Sequence, residues 1–69
     1  MLRCKRQRLA SGLSQNEVAR QARLHPSTVC TIESGRFLPG RGQLARLAAA
    51  LNFSDDPERL LEEVQDAPS

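Results

Sequence analysis

The sequence predicts an all-α fold, a compact five-helix bundle in one domain, and three observations support it. Apolar residues recur at helical spacing, most clearly at Leu44, Leu47, Ala48 and Leu51, and they never alternate with the period of a strand. Capping residues, prolines and glycines separate the periodic segments at the positions where helices begin and end. Only two of the 69 residues are aromatic, so aliphatic side chains must build the core.

The first two helices are predicted from their ends. Helix 1 covers 2–11 and ends at Gly12. Helix 2 covers 15–22 and begins at a capping box, in which the hydroxyl of Ser14 accepts an early N–H and the carboxylate of Glu17 reaches back. Both helices are therefore short, with a tight connection between them.

The third helix is predicted over 26–34. Pro26 suits the first position of a helix, and Gly35 can adopt the left-handed conformation that ends one. Val29 and Ile32, three apart, face inward. Residues 13–39 thus predict two short helices joined by a tight turn, which is a helix-turn-helix.

Two more helices complete the bundle. A loop over 36–40 leads to helix 4, which carries the apolar pattern named above and ends at Asn52. Asp56 and Pro57 begin helix 5, whose acidic first turn suits the helix dipole. The predicted domain spans 1–65, and the C-terminal tail 66–69 is expected to fray.

Charge is unevenly distributed along the chain. Residues 1–46 hold nine basic and two acidic side chains, a net charge of +7, whereas residues 53–69 hold one basic and six acidic side chains, a net charge of −5. This asymmetry suggests one face for a polyanion and another that avoids it or binds a protein. The alternative is two solvated surfaces that happen to differ.

Other classes of protein find little support in the sequence. Two cysteines and one histidine do not make a zinc site, and we expect neither a metal nor a cofactor. No nucleophile–base pair or phosphate-binding glycine loop points to an enzyme. No apolar run approaches the roughly 20 residues of a membrane span, and no signal peptide is visible, so a cytoplasmic protein is expected.

The motif residues resemble a known family. The patterns L-S-Q-x-E-x-A at 13–19 and S-T-V-x-x-I-E-x-G at 27–35, followed by Pro39, are similar to the Cro/repressor-type helix-turn-helix family. This family is also called the xenobiotic-response-element or lambda-repressor-like family. The resemblance runs from Cys4 to Phe53 without a gap, and Cys4 matches a core aliphatic position. It implies a DNA-binding domain whose third helix enters the major groove.

The resemblance also implies which residues contact DNA. Positions matching Pro26, Ser27, Thr28 and Thr31 usually contact bases. The glutamine matching Gln15 hydrogen-bonds a phosphate. Further candidates for phosphate contact flank the motif, namely Ser34, Arg36, Arg41, Lys5 and Arg6. Alternatively, helix 3 is a scaffold helix with small polar residues facing water, and each cation is simply solvated.

Other positions that match the family are structural. Arg8 and Glu33 match a partly buried salt bridge that fixes the angle of helix 3. His25 precedes Pro26 in the N-cap position, where it either faces a phosphate or is a poor structural cap, and we favour a structural role close to a phosphate.

Two positions depart from the family pattern. Arg23 stands in the turn where the family usually has glycine, so it must adopt positive φ or shift the turn. Pro26 stands where many relatives read a base with glutamine or arginine. Its ring has no donor, which leaves it van der Waals contact, for example with a thymine methyl.

These observations predict a non-catalytic, sequence-specific regulator that binds double-stranded DNA, most simply a repressor acting as a homodimer on a two-fold operator. Helix 5 offers more apolar surface than a small core can hide, and the predicted dimer interface is Phe53, Leu60, Leu61 and Val64. Two alternatives remain open. One is an antitoxin-like module whose acidic C-terminal helix binds a protein, and the other is a restriction-modification controller.

Overall fold

The computed structural model describes residues 1–65, in which four α-helices are followed by one 3₁₀ helix. The predicted tail 66–69 lies outside the described residues. The bounds of the elements are α1 Arg3–Ala10, α2 Gln15–Ala22, α3 Pro26–Glu33, α4 Arg41–Ala50 and the 3₁₀ helix Pro57–Leu61. None of these helices combines the length and apolar composition that a bilayer crossing requires.

The core lies between α2 and the two helices packed against it, α3 and α4, and the 3₁₀ helix closes it by packing on α4 and α1. Its largest fully buried side chains are Ile32, Leu47, Leu51, Leu60, Val18, Val29 and Cys4. The inward positions predicted on α3 and α4 are buried, with Val29 and Ile32 completely enclosed. Burial raises the pKa of the Cys4 thiol from 9.0 to about 11, so Cys4 stays protonated and packs as a small apolar side chain.

All four α-helices end in the same way, at a left-handed residue followed by a residue that closes the turn. At α1, for example, the N–H of Gly12 bonds the carbonyl of Leu9 at 3.1 Å, and the N–H of Leu13 bonds that of Arg8 at 3.2 Å. This pair of bonds is the Schellman motif, which satisfies carbonyls that a helix end would otherwise leave without donors. The left-handed residues are Gly12, Arg23, Gly35 and Asn52.

Arg23 takes positive φ instead of shifting the turn. Its φ of 57° and ψ of 41° lie in the left-handed region, where a side chain with a Cβ costs about 1 to 2 kcal/mol. The N–H of Leu24 still bonds the carbonyl of Ala19 at 2.8 Å, so the turn keeps the geometry that glycine would give it. The turn between α2 and α3 is therefore formed against a local backbone preference.

Replacing Arg23 by glycine is expected to stabilise the protein. Removing the Cβ relieves the left-handed strain, and part of this gain is offset because glycine is more flexible in the unfolded chain. We expect a net gain of about 0.5 to 1 kcal/mol, which raises Tm by roughly 2 to 8 °C. Asn52→Gly is the control, and its gain is smaller because asparagine tolerates positive φ. A lower Tm for the Arg23 variant would contradict this account.

The prediction of a fifth α-helix is wrong. The start signal works as expected, since the Asp56 side chain accepts the N–H of Glu58 at 3.1 Å and Pro57 occupies the first turn. The helix is nevertheless only the 3₁₀ segment 57–61. Beyond it, the chain becomes extended and pairs with the N-terminal segment, where Leu2 and Glu63 form an antiparallel bridge.

Backbone hydrogen bonds explain why the helix stops. The N–H of Arg3 bonds the carbonyl of Glu62 at 2.8 Å, and the N–H of Val64 bonds the carbonyl of Met1 at 2.8 Å. In a longer C-terminal helix, the carbonyl of Glu62 and the N–H of Val64 would take part in the helical ladder instead. The N-terminal segment thus satisfies them from a position about 60 residues away in sequence, and a helix is not needed.

Candidate nucleic-acid interface

The two helices of the predicted motif are fixed by signals at their ends. At α2, the N–H of Glu17 bonds the Ser14 hydroxyl at 3.1 Å, and the N–H of Ser14 bonds the Glu17 carboxylate at 3.0 Å. The second bond stabilises the ionised carboxylate and holds the pKa of Glu17 below its usual value. The capping box predicted from sequence is therefore present at the start of α2.

His25 caps the N-terminus of α3. Its Nδ1 accepts the backbone N–H of Ser27 at 3.2 Å and lies 2.7 Å from the Ser27 hydroxyl. Of the two roles considered for His25, the structure shows the capping role. The imidazole replaces the serine or aspartate that more often stands at this position.

Small polar groups cover the side of α3 that faces away from the core. Pro26, Ser27 and Cys30 are exposed, and Thr28 and Thr31 are half-buried. The four residues predicted to contact bases thus lie within six positions on one short helix, and none is fully buried. The outward side of α3 therefore presents short side chains and none of the long arginine, lysine or glutamine side chains that read bases by paired hydrogen bonds.

Two hydroxyl groups on the outward side of α3, those of Thr31 and Ser34, donate their protons to carbonyls of the helix. The Thr31 hydroxyl donates to the carbonyls of Ser27 and Thr28 at 3.1 and 2.9 Å, and the Ser34 hydroxyl donates to the carbonyl of Thr31 at 3.0 Å. With their protons used, these oxygens can act outward only as acceptors. Toward a base pair they suit the amino groups of adenine and cytosine.

A buried polar cluster holds α1, α2 and α3 together. Arg8 contacts Glu33 through two bonds, Nε to Oε2 at 2.7 Å and Nη2 to Oε1 at 3.2 Å, and its Nη1 donates to the carbonyl of Leu13 at 2.9 Å. Gln15 Nε2 also donates to Glu33 Oε1 at 3.1 Å. Glu33 therefore accepts from two helices at once, at the C-terminal end of α3.

The cluster positions Gln15 at the start of α2. One N–H of its amide group is used on Glu33, which leaves the second for another acceptor. Within residues 1–65, the backbone N–H groups of Gln15 and Asn16 have no hydrogen-bond partner. The helix dipole adds partial positive charge at the same place, so this end of α2 suits an anion.

The other predicted phosphate contacts are spread over the surface. Arg41 is exposed in the first turn of α4, and Ser34 is exposed where α3 ends. Lys5 and Arg6 are half-buried on α1, and within the described part of the chain their side chains form no hydrogen bond with α3. Arg36 is exposed just after α3, where it lines a groove together with Leu2 and Leu61.

The four residues predicted to form a dimer interface differ in how deeply they are buried. Leu60 is completely buried in the core of one chain, so it offers no surface to a partner. Phe53 and Leu61 are half-buried and pack against that core, and Val64 is half-buried in the extended C-terminal segment. The apolar surface attributed to helix 5 is thus largely used within one chain.

Sequence reasoning missed Arg46. Its Nε donates to the carbonyl of Ala22 at 2.9 Å, which ties α4 to the last turn of α2. This carbonyl directly precedes Arg23, whose left-handed backbone conformation is unfavourable. The bond therefore stabilises the turn beside its strained residue. No local pattern marks the contact, because it joins residues 24 positions apart.

Comparison with known proteins agrees with this geometry. A protein-family model described as a helix-turn-helix domain matches residues 3–61, which include all five helical elements. Comparisons with curated proteins and with solved structures gave no significant match. Because the family match covers most of the chain, the protein belongs to this family of helix-turn-helix domains.

Proposed function

We propose that this protein is a sequence-specific, non-catalytic transcriptional regulator that binds double-stranded DNA with α3 in the major groove. The family match supports DNA binding. The observation that carries the proposal is the cluster of the buried pair Arg8 and Glu33 with the half-buried Gln15, which fixes α3 relative to the end of α2 that suits an anion. A scaffold that reads DNA needs these two helices at a constant angle.

The finer assignment is a repressor of the Cro/repressor type that acts as a homodimer on a two-fold operator. The sequence patterns at 13–19 and 27–35 support this subfamily. In this arrangement Pro26, Ser27, Thr28 and Thr31 face base edges. Gln15, Ser34, Arg41, Lys5 and Arg6 supply phosphate contacts, and the net charge of +7 over residues 1–46 strengthens them.

Selection of bound sites from a random pool of duplex DNA tests the proposal directly. We expect an enriched site with two-fold symmetry whose half-sites are centred about 10 base pairs apart, because a dimer places its two α3 helices one DNA turn apart. Enrichment of a single asymmetric half-site would support DNA binding but contradict the proposed dimer. No enrichment at low salt would contradict the proposed function.

Replacing Arg41 by alanine is expected to weaken binding to the selected DNA equally for all sequences. Each phosphate contact releases counterions, so its loss should lower the slope of log K against log salt by about 1. The matched control is Arg20→Ala, which removes the same charge from an exposed position on α2 outside the predicted contact set. An Arg41 slope equal to that of the control would show that Arg41 is solvated in the complex.

A protein partner for the acidic C-terminal segment is the second candidate function, in which the chain is an antitoxin-like module. The supporting observation is that Asp55, Asp56, Glu58, Glu62 and Glu63 are all exposed. Three of these carboxylates already pair within the chain, with Arg59, Arg3 or the N-terminal amine. Within residues 1–65 only Asp56 and Glu58 of this set form no ion pair, which is little free charge for a basic partner and favours the DNA-binding proposal.

A further inference from the structure

An exposed apolar groove lies beside the end of α3. Leu2, Gly35, Arg36, Phe37, Leu38 and Leu61 line it, and this surface is called the 35–38 groove below. Leu38 is 78% exposed and Phe37 is 42% exposed. Among the described residues, the only other large apolar side chain classed as exposed is Leu9, which lies on α1. Within residues 1–65, the groove is therefore the main place where apolar surface is left in water.

The end of α3 differs from the other helix ends in a way that produces this groove. The residue after the left-handed position is Leu13 at α1, Leu24 at α2 and Phe53 at α4, and all three pack against the core. An apolar residue at this position usually accompanies the motif. At α3 the same position holds the exposed Arg36, and the apolar residues Phe37 and Leu38 follow it on the surface.

Charges of both signs border the 35–38 groove. Leu2 lies opposite Glu63 in the antiparallel bridge, and opposed residues place their side chains on the same face. The Glu63 side chain is 75% exposed, and its carboxylate contacts the N-terminal amine at 3.1 Å. Arg36 is part of the lining of the groove, and it forms no ion pair within residues 1–65. The groove thus has the Arg36 cation in its lining, and the exposed Glu63 carboxylate, which contacts the N-terminal amine through Oε1, lies beside its Leu2.

We propose that the 35–38 groove is where a second copy of this chain binds. Leu38 of each chain packs into the groove of the other, and Arg36 pairs with Glu63 of the partner subunit. A two-fold interface must be complementary to itself, and a patch that carries both charges around an apolar centre meets this requirement. The inference rests on the proposed homodimer and assigns its contact surface, and it gives Arg36 a protein partner in place of a phosphate.

The position of the groove is compatible with DNA binding by both chains. It lies at the C-terminal end of α3, whereas the predicted base-contacting residues begin at Pro26. Eight residues of α-helix separate the two ends by about 12 Å. A partner seated in the groove therefore leaves the start of α3 uncovered. A surface that bound DNA directly would be basic throughout, and Glu63 makes this one mixed.

The first experiment replaces Leu38 by aspartate and measures self-association by sedimentation without DNA. We expect the unmodified chain to dimerise and the Leu38→Asp variant to dimerise at least tenfold more weakly. Leu9→Asp is the matched control, because Leu9 is 48% exposed on α1 and receives the same charge. The control should dimerise as the unmodified chain does, and circular dichroism should show that both variants are folded.

The second experiment exchanges charges. Arg36→Glu and Glu63→Arg should each weaken the dimer, because each homodimer then holds two like-charge contacts. An equimolar mixture of the two variants should associate as tightly as the unmodified chain, since both contacts in the mixed dimer join opposite charges. Rescue by mixing requires that the contact is between chains, and a contact within one chain would not produce it.

Several results would overturn the inference. These are a monomeric unmodified chain at 0.1 mM or above, a Leu38→Asp variant that still dimerises, an equal loss in the Leu9 control, or a mixture that is not rescued. A Leu38→Asp variant that stays dimeric but binds DNA less tightly would assign the groove to DNA instead. Failure of the proposed function looks different, because it appears as a lack of sequence-specific DNA binding whatever the assembly state.

Discussion

The Glu33→Ala variant is expected to unfold about 3 kcal/mol more easily than the unmodified protein. Glu33 is 8% exposed and Arg8 is 9% exposed, so the substitution leaves a guanidinium buried without its carboxylate. Gln15 loses its acceptor at the same time. A domain of this size is stabilised by roughly 3 to 10 kcal/mol in total, so the loss is a large part of it.

Thermal and urea unfolding without DNA measure this effect, and we expect Tm to fall by more than about 10 °C. The matched control is Glu62→Ala, which breaks the ion pair between Arg3 and Glu62 at an exposed position. Its cost should stay below about 1 kcal/mol. A Glu33→Ala midpoint no lower than that of the control would mean that the buried pair adds no net stability.

A double variant separates the loss of a partner from the loss of the pair. Arg8→Met combined with Glu33→Leu removes both charges and fills similar volume, and such replacements are often neutral or stabilising. We expect it to recover most of the stability that Glu33→Ala loses. Its DNA binding should be weaker than that of the unmodified protein, because Glu33 no longer holds Gln15 at the start of α2.

The Thr31→Asp variant is expected to bind the selected DNA at least tenfold more weakly, a loss of about 1.4 kcal/mol or more. A carboxylate on the outward side of α3 would enter the negative field of the phosphates. Thr31→Val should be better tolerated, because it keeps the shape of the side chain and a methyl group that can contact thymine. It loses only the hydroxyl that already bonds the helix carbonyls.

Titration of operator DNA by fluorescence anisotropy compares these variants. Ser54→Asp is the matched control, since it adds the same charge at an exposed position beyond α4. This control separates a general charge effect from a local one. If Thr31→Asp held DNA as tightly as the Ser54 control, Thr31 would lie outside the groove and the placement of α3 would be wrong.

The helices that build the site could be predicted because their ends are encoded locally. The bounds of α2 match the prediction, and α3 ends one residue earlier than predicted. The capping box at Ser14, the proline at Pro26 and the glycine at Gly35 each act within a few residues of their own position. Capping and helix-ending residues that act over such short distances do not depend on the rest of the fold.

The features that sequence reasoning missed depend on distant residues. The fifth helix is replaced by a 3₁₀ segment because residues 62–64 pair with the start of the chain. The bond from Arg46 to Ala22 and the bond from Gln15 to Glu33 likewise appear only when the helices are packed. The ion pair of Arg8 and Glu33 was expected from the family resemblance alone.

The inward hydrogen bonds of the hydroxyls on α3 have a consequence for the thermodynamics of binding. Arginine and glutamine readers lose about 0.5 to 1.5 kcal/mol of rotamer entropy each when a base immobilises them. Ser27, Thr31 and Ser34 are short, and each already has a hydrogen-bond partner in the unbound protein. The surface that we propose for base contact is thus preorganised, so modest contacts there would come with little loss of conformational freedom. Its affinity should depend on shape complementarity with a rigid helix rather than on side chains that adapt to each sequence.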